Sequence, residues 1–290
     1  CIKSGKLKTF VTVTVKDKIP WEGLGSETSP YLISTAKDLY NLSYYVNTKL
    51  MATTGVYFEM TDNIDLSDYD NWTPIGSDRN QFDGVFDGDG YVIDNLTSLR
   101  GGLFGTVCQN AVIKNVGVAS GEIGKENTYT SFLGGIAKWS NGADFINCWN
   151  GADIYGSGYM GGIVGTVRDG GKSNITGCYN VGSLYASSGH TGGIVGHLDT
   201  TRRDTSVEVT IDNCYNLGNI NGIYSLGGIV GQAQDGHTIV NCYNAGKITS
   251  ASDGQAGAIA GSLTNDNRVE ECYYDSSVCL LYTSPSPRDI

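Results

Sequence analysis

Five cysteines recur at a regular spacing, and their thiols are the most reactive groups that this sequence repeats. They are Cys148, Cys178, Cys214, Cys242 and Cys272. A cysteine can form a disulfide, bind a metal ion or pack as a small hydrophobic side chain. The paired C-x-x-C spacing and in-phase histidines of metal sites are absent. Val116 stands at the same position of an earlier repeat, which favours packing over disulfides between neighbouring repeats.

Histidines and carboxylates do not form a catalytic motif in this sequence. The three histidines are His190, His197 and His237. None belongs to an H-E-x-x-H motif, in which two histidines on one helix face bind zinc, and a corner or surface position is expected for the first two. An acidic cluster comprises Asp62, Asp65, Asp68 and Asp70. It lacks the residue order of a known calcium loop, and aspartate is common in turns. We therefore predict a non-enzymatic chain with no catalytic residue, no cofactor and no bound metal.

An aromatic ring follows each of the five cysteines. These rings belong to Trp149, Tyr179, Tyr215, Tyr243 and Tyr273. If the cysteines point inward, strand alternation turns the rings outward into a stripe. Self-stacking that stiffens the protein is the favoured interpretation. Contact with a carbohydrate or protein is the alternative, because rings offer a large rigid surface; its ligand-binding candidates are Trp149, Tyr179, Tyr215 and Tyr243. An amide ladder is predicted at Asn150, Asn180, Asn216 and Asn244.

One repeat is longer than the others and predicts a projecting loop. Ile194 and Cys214 are 20 residues apart, whereas the same interval is 12–15 residues in the other units. The excess lies within "HLDTTRRDTSVEVT". Loops on a rigid scaffold often carry binding residues, so Arg202 and Arg203 are further ligand-binding candidates.

The elements that must position these residues are short and repeated. Six glycine-rich units begin with glycines at residues 101, 134, 161, 192, 227 and 257. Each unit contains short β-rich runs that cannot form a helix of ten or more residues and cannot close a core alone. The units must therefore stack, which predicts an all-β, parallel β-solenoid of about six coils. A β-propeller is the alternative, but its blades need about 40–45 residues.

A short helix is predicted in the N-terminal third. Thr35 and Asp38 have the spacing of a capping box, although its usual third-position partner is Glu or Gln. Leu39, Leu42 and Val46 then share one helix face. A helix ahead of a solenoid is well placed to cover its open end and the unpaired edge of its first strand.

These patterns divide the chain into four parts. We predict a cap with the first irregular coils over residues 19–100 and the regular repeats over residues 101–278. Residues 1–18 look like the end of a preceding immunoglobulin-like domain, with a lipidated Cys1 as the alternative. Residues 279–290 contain "CLLYTSPSPRD", which resembles the translation of a common transposase sequencing adapter. We expect that segment not to be native; a natural Ser/Pro-rich linker is the alternative.

Composition narrows the classes of partner. The 290 residues carry a net charge of −11, and no Lys/Arg cluster in the sequence is larger than "TRRD". Nucleic acid and anionic membranes are therefore poor partners. No apolar run reaches the roughly 18 residues of a membrane helix, so no membrane insertion is predicted within this segment.

Several segments together resemble the GLUG-motif repeat proteins. They are "GSETSPYLISTAKDLYNLSYYVN", "NIDLSDYDNWTPIG", "FDGVFDGDGYVIDNL" and the recurring "GGIVG" and "NCYN" units. The resemblance covers about residues 21–275. It implies a right-handed β-solenoid in a bacterial extracellular or cell-surface protein, often an adhesin, and no catalytic residues on these positions. Similar repeats precede the catalytic region of IgA-cleaving zinc metallopeptidases.

The sequence thus predicts a non-enzymatic extracellular segment of a bacterial surface protein that acts as an adhesin or a rigid spacer. Host or matrix glycans or proteins are the expected partners, and the expected location is extracellular or at the cell surface. The alternative is a non-catalytic N-terminal part of a secreted peptidase or carbohydrate-active enzyme.

Overall fold

The chain winds into a parallel β-solenoid, as predicted. A computed structural model describes residues 19–126, 128–168, 172–199, 208–234, 236–251, 255–264, 266–277 and 280–282. Each complete coil places five short strands on five sheets, numbered here 1 to 5 in the order in which the chain visits them. Within each sheet, a strand pairs in parallel with its equivalents in the neighbouring coils.

The strands of the five sheets have the following bounds. Sheet 1 comprises Phe132–Gly134, Tyr159–Gly161, Thr191–Gly192, Leu226–Gly227 and Ala256–Gly257. Sheet 2 comprises Phe104–Val107, Ala137–Ser140, Val164–Arg168, Val195–Asp199, Val230–Ala233 and Ala260–Leu263. Sheet 3 comprises Tyr31–Ile33, Tyr57–Met60, Val85–Asp87, Val112–Lys114, Asp144–Ile146, Lys172–Thr176, Glu208–Asp212, Thr238–Val240 and Arg268–Glu270. Sheet 4 comprises Ile64–Asp65, Val92–Asp94, Gly117–Val118, Trp149–Asn150, Tyr179–Asn180, Tyr215–Asn216, Tyr243–Asn244 and Tyr273–Tyr274. Sheet 5 comprises Leu96–Ser98, Gly121–Gly124, Asp153–Gly156, Leu184–Ala186, Ile220–Gly222, Ile248–Ser250 and Leu280–Tyr282.

The solenoid is longer than the six coils predicted from the glycine motif. Sheet 4 contains eight strands and sheet 3 contains nine, so the described chain completes about eight turns. The extra turns lie at the N-terminal end, where the coils lack the glycine pair and the cysteine. They join the same sheets because they keep the inward apolar position: Phe58 and Phe86 are buried in register with Ile113.

One apolar column runs along sheet 3 through the core. Its members in the repeat region, all expected from their spacing to the cysteines, are Ile113, Phe145, Ile175, Ile211, Ile239 and Val269. The first five are fully buried, whereas Val269 in the last coil is 39% exposed. Burial of each side chain therefore depends on a coil on both sides, which is why isolated repeats cannot form a core.

The predicted helix spans Ala36–Asn47 and begins as its sequence indicates. Thr35 Oγ1 accepts a hydrogen bond from the backbone N–H of Asp38 at 3.1 Å. The Asp38 carboxylate accepts in turn from the Thr35 hydroxyl at 2.7 Å, so aspartate replaces the usual glutamate of a capping box. Leu39, Leu42 and Val46 are buried in the common core, as predicted. Ile33, in the first strand of sheet 3 just before the helix, is also fully buried.

The two chain ends fall largely outside the described residues. The predicted immunoglobulin-like segment, residues 1–18, lies there, as does most of the adapter-like segment. Within the latter, the backbone of Leu280–Tyr282 pairs in parallel with Ile248–Ser250. In the part of the chain that the structure describes, no helix has the length and apolarity needed to cross a membrane.

Candidate functional site

The five cysteines form a column inside the solenoid, beside the apolar column of sheet 3. Cys148, Cys178, Cys214 and Cys242 are buried, and all five described members of the column are free thiols. Each thiol donates to a carbonyl of the preceding coil, as Cys148 Sγ does to Ile113 O at 3.3 Å. Burial raises the pKa of Cys178 well above its usual value, which keeps that thiol protonated. The cysteines are therefore packing residues and weak donors in this structure.

The predicted amide ladder lies on sheet 4, two residues after each cysteine. Asn150, Asn180, Asn216 and Asn244 are fully buried. Each of the first three donates Nδ2 to Oδ1 of the asparagine one coil later, at 2.8–2.9 Å. Each amide also donates to the carbonyl two residues ahead in its own coil. This satisfies buried polar groups that would otherwise destabilise the fold.

The predicted aromatic stripe also lies on sheet 4, and we call it the sheet 4 stripe: Trp149, Tyr179, Tyr215, Tyr243 and Tyr273. The first three rings stack in parallel, with centroids 5.5 Å and 4.8 Å apart and interplanar angles of 2°. The indole of Trp149 also lies over Gly117, where a Cβ atom would overlap the ring. Tyr243 and Tyr273 continue the register and are 40% and 62% exposed. In the stacked part of the stripe the rings cover one another's faces, leaving edges and hydroxyls toward solvent.

A second ring pair, not predicted from the sequence, lines a groove on sheet 5. Tyr155 and Tyr185 are in register, and their rings stack 4.7 Å apart at 6°. The next residue in this column is Asn221, so the stack ends there and Tyr185 borders an open groove of about 330 Å³. Lys125 and Asn221 also line the groove. The available signal was a tyrosine seven positions after Cys148 and after Cys178.

Two histidines join an aromatic cluster where sheets 1 and 2 meet. The Tyr159 ring lies 4.4 Å from His197 and 5.1 Å from His190, centroid to centroid. His197 is only 3% exposed, so it is buried rather than on the surface. Neither of its ring nitrogens has a hydrogen-bond partner among the described residues. Burial lowers the pKa of His197 to about 4, so its imidazole is neutral near pH 7.

Two members of the predicted acidic cluster, Asp62 and Asp65, accept hydrogen bonds from nearby backbone N–H groups. Asp65 Oδ1 accepts from Asn95 Nδ2 and from the backbone N–H of Ser67, both at 2.9 Å. These hydrogen bonds, that from Asn95 first, lower the pKa of Asp65. Asp62 accepts from the backbone N–H of Asn63 at 2.7 Å. Over the described residues, no three His, Cys, Asp or Glu side chains are placed to hold a metal ion together.

The predicted projecting loop falls on residues 200–207, outside the described part of the chain, and so do Arg202 and Arg203. The flanking strands, Val195–Asp199 and Glu208–Asp212, keep the register of the preceding coil. The extra residues are therefore inserted between sheets 2 and 3 without disturbing the stack. The ligand-binding roles of Arg202 and Arg203 stay predictions.

Comparison with curated proteins finds two relatives over parts of the chain, and no family model matches it. Over 104 residues the chain is 34% identical to an Evansella cellulosilytica protein described as a candidate Gly-rich membrane protein, covering 32% of this chain and 11% of that protein. Over 269 residues it is 25% identical to halomucin of Haloquadratum walsbyi, covering 76% of this chain and 3% of halomucin. The chain thus spans about a tenth or less of either relative.

Two solved structures share the fold. One, from Bacteroides ovatus and described as a candidate immunoglobulin A1 protease, has a TM-score of 0.56 and 24% identity, and the match covers 87% of this chain and 86% of that chain. The other, an IgA1 protease, has a TM-score of 0.62 and 16% identity, with 87% and 21% covered. At these identities the likeness concerns the fold alone. The shared fold agrees with the predicted similarity to repeats of IgA-cleaving peptidases. Membership of the GLUG-motif proteins stays a prediction.

Proposed function

We propose that this chain is a non-enzymatic segment of an extracellular surface protein and acts as a rigid spacer or an adhesin. The observation that carries the proposal is the register, because cysteines, asparagines and aromatic rings each stack on their own kind from coil to coil. Each coil contacts its neighbours along one axis, so added coils lengthen the rod without a new core. The match to small fractions of a Gly-rich membrane protein and of halomucin fits one segment of a long repeat protein.

For the adhesin form, the two aromatic columns differ in what they offer a ligand. The stacked rings of the sheet 4 stripe present edges and hydroxyls, which suits hydrogen bonding to a protein or glycan. Tyr185 presents a ring face beside a groove, and a sugar ring needs such a face to continue a stack. Arg202 and Arg203 are further candidates for contact with a ligand.

Binding of the full chain to a glycan array and to matrix proteins tests the adhesin form. If a sugar stacks on Tyr185, we expect Tyr185→Ala to weaken binding by about fivefold, corresponding to about 1 kcal/mol for a ring contact. Tyr185→Phe keeps the ring and should bind like the parent, which makes it the matched control. Turnover of a protein or polysaccharide substrate by the purified chain would contradict the non-enzymatic part of the proposal.

A non-catalytic part of a secreted peptidase is the second candidate. It is favoured by fold similarity over 87% of the chain to two solved structures. One is described as an IgA1 protease and the other as a candidate immunoglobulin A1 protease. The longer gene separates the two candidates. A downstream H-E-x-x-H region would support the peptidase, whereas further repeats followed by a surface anchor would support the adhesin or spacer.

A further inference from the structure

A groove of about 440 Å³ opens beside the first strands of sheet 2. Its lining includes Asn47 at the C-terminal end of the helix, Pro74, Arg79, Arg100 and Lys138. Asn47 Nδ2 donates to the Pro74 carbonyl at 2.9 Å, which fixes the helix end against one wall. The groove is therefore built jointly by the cap, an irregular coil and the first two repeats.

The groove is basic on a chain that is acidic overall, with a net charge of −11. Arg79, Arg100 and Lys138 form no ion pair with any described carboxylate. The ion pairs found among the described residues are Lys114–Asp87, Lys172–Glu208 and Arg268–Glu270. One carboxylate, Asp78, lines the groove, and its Oδ1 accepts from the Thr106 hydroxyl at 2.9 Å. Three cations against one carboxylate leave the groove positively charged.

Lys138 departs from the repeat. Sheet 2 register aligns it with Gly105, Gly165, Gly196, Gly231 and Gly261. In later coils a strand of sheet 1 lies against this glycine, so a Cβ on Gly196 would come within 2.6 Å of Met160 N. At Lys138 the facing residue is Gly101, which belongs to no strand, has a φ of 148° and would place its own Cβ 3.1 Å from Lys138 Cβ. A lysine is thus accommodated at a position that no strand of sheet 1 covers.

Trp139, the next residue, also departs from the repeat and holds two cations. The other coils have small or polar residues at this register: Thr106, Thr166, His197, Gln232 and Ser262. The Lys138 ammonium lies 4.6 Å, and the Arg168 guanidinium carbon 3.6 Å, from the Trp139 ring centroid. Cation–π contacts position these side chains without neutralising them. Trp139 therefore holds the ammonium of one groove residue, Lys138, whereas Arg168 does not line the groove.

We propose that this groove binds a carboxylate or sulfate group of an acidic glycan. Guanidinium and ammonium donors make strong charge-assisted hydrogen bonds to such groups, and arginine can make them in pairs. A nucleic acid fits less well, because its phosphate backbone is usually bound along a longer basic stripe, whereas the groove gathers three cations at one place. The inference names a partner class for the adhesin form of the proposed function. The inference rests on the proposed function in one respect: an extracellular location is what would bring the chain into contact with such glycans.

Binding of the purified full chain to three polysaccharides tests the proposal. Heparin carries sulfate and carboxylate groups, hyaluronan carries carboxylates alone, and dextran is neutral. We expect heparin to bind, dextran not to bind, and Arg79→Ala/Arg100→Ala/Lys138→Gly to weaken heparin binding by about tenfold or more. Binding of hyaluronan as well would identify carboxylate as sufficient, and its failure would identify sulfate as the group bound.

A matched variant separates the groove from overall charge. Lys172→Ala/Lys247→Ala/Arg268→Ala removes the same three charges from exposed positions elsewhere and should bind heparin within about twofold of the parent. Lys138→Gly alone restores the residue of the other coils, so it should fold like the parent and lose about threefold in affinity. Equal weakening by both triple variants, heparin binding no stronger than dextran, or tighter binding of polyglutamate or single-stranded DNA would overturn the proposal. None of these results would contradict the proposal that the chain is a non-enzymatic spacer, because substrate turnover tests that proposal separately.

Discussion

Single buried amides fix the alignment of the coils. Asn180 is fully buried, and its Nδ2 donates to Asn216 Oδ1 and to Gly182 O, both at 2.8 Å, while its Oδ1 accepts from Asn150 at 2.9 Å. A slip by one residue would turn this side chain to the other face of its sheet and leave its partners buried without hydrogen bonds. The amide column therefore adds specificity of register to the stability that the apolar column provides.

Replacing one of these amides should be costly. Asn180→Ala leaves the Asn150 donor and the Asn216 and Gly182 acceptors without their partner, so we expect the free energy of unfolding to fall by about 2–3 kcal/mol. Urea denaturation followed by circular dichroism measures this. Asn174→Ala is the control, because Asn174 is exposed and its removal should cost less than about 1 kcal/mol. Equal effects of the two substitutions would mean that the amide column is not structural.

A buried neutral imidazole makes stability depend on pH. The pKa of His197 is held at about 4, against an ordinary 6.5, first by burial and then by the positive charges of His190 and His237, while Asp199 opposes the shift. Between these two values the unfolded chain binds more protons than the folded chain. Stability therefore falls as the pH is lowered from about 6.5 to about 4.

We expect His197→Gln to remove most of this dependence, because a glutamine side chain does not titrate. The fold also accepts glutamine at this position, since Gln232 occupies it in the next coil. The parent should lose about 3 kcal/mol of unfolding free energy between pH 6.5 and pH 4 that the variant keeps. Burial lowers the pKa of His190 too, so a smaller dependence should persist. Urea denaturation at several pH values measures the difference, and parallel profiles for the two proteins would contradict the assignment to His197.

At the scale of elements, the glycine pair of sheet 1 and the asparagine of sheet 4 fit together. A Cβ atom on the second glycine of a pair would overlap the asparagine amide of the same coil, as Gly162 would with Asn180. In the last coil this glycine is Ala258, and the asparagine position is occupied by Tyr274. The last coil thus lacks both the glycine and the amide, which fits a role of the glycine in making room for the amide. In the first repeat Gly102 is kept although Val118 stands at the asparagine position, because its added Cβ would meet the Gly135 carbonyl instead.

Gly162→Ala should therefore destabilise the chain by about 3 kcal/mol, because the added methyl group meets both the Asn180 side chain and the Gly193 carbonyl. Thermal and urea denaturation would measure the loss. The reverse change at the equivalent position, Ala258→Gly, is the matched control and should cost no more than about 1 kcal/mol. A small effect of Gly162→Ala would show that the strands of sheet 1 can move away from sheet 4.

Elements that repeat were predictable, and elements that break the repeat were not. Periodic spacing was enough to place the cysteine, asparagine and aromatic columns. The helix that begins after Thr35 was predicted instead from its own capping residues and apolar face. The irregular coils expected within residues 19–100 could not be counted from the sequence, because Phe58 and Phe86 occupy the inward position without the glycine and cysteine that marked it elsewhere. The basic groove was missed because Arg79, Arg100 and Lys138 are distant in sequence, and only the winding of the chain brings them to one place.

The whole molecule is a stack of coils, each held by its neighbours. Strand pairing links each coil to the one before and the one after. Contacts of this kind make stability approximately a sum over coils and the interfaces between them. It follows that removing one coil should shorten the rod without dissolving it, provided that the cut preserves the register.

Two deletions that differ by one residue test this. Gly161 and Gly192 are in register, so removing residues 162–192 joins Gly161 to Gly193 and keeps every column aligned. We expect this variant to unfold in one cooperative transition and to lose about 3 kcal/mol, the share of about 31 residues at about 0.1 kcal/mol each. Removing residues 162–191 instead leaves one extra glycine, which must form a bulge or shift the register. That variant should be at least about 2 kcal/mol less stable than the first by urea denaturation. Equal stability of the two deletions, or a failure of the aligned one to fold, would mean that something other than in-register stacking of the coils holds the rod together.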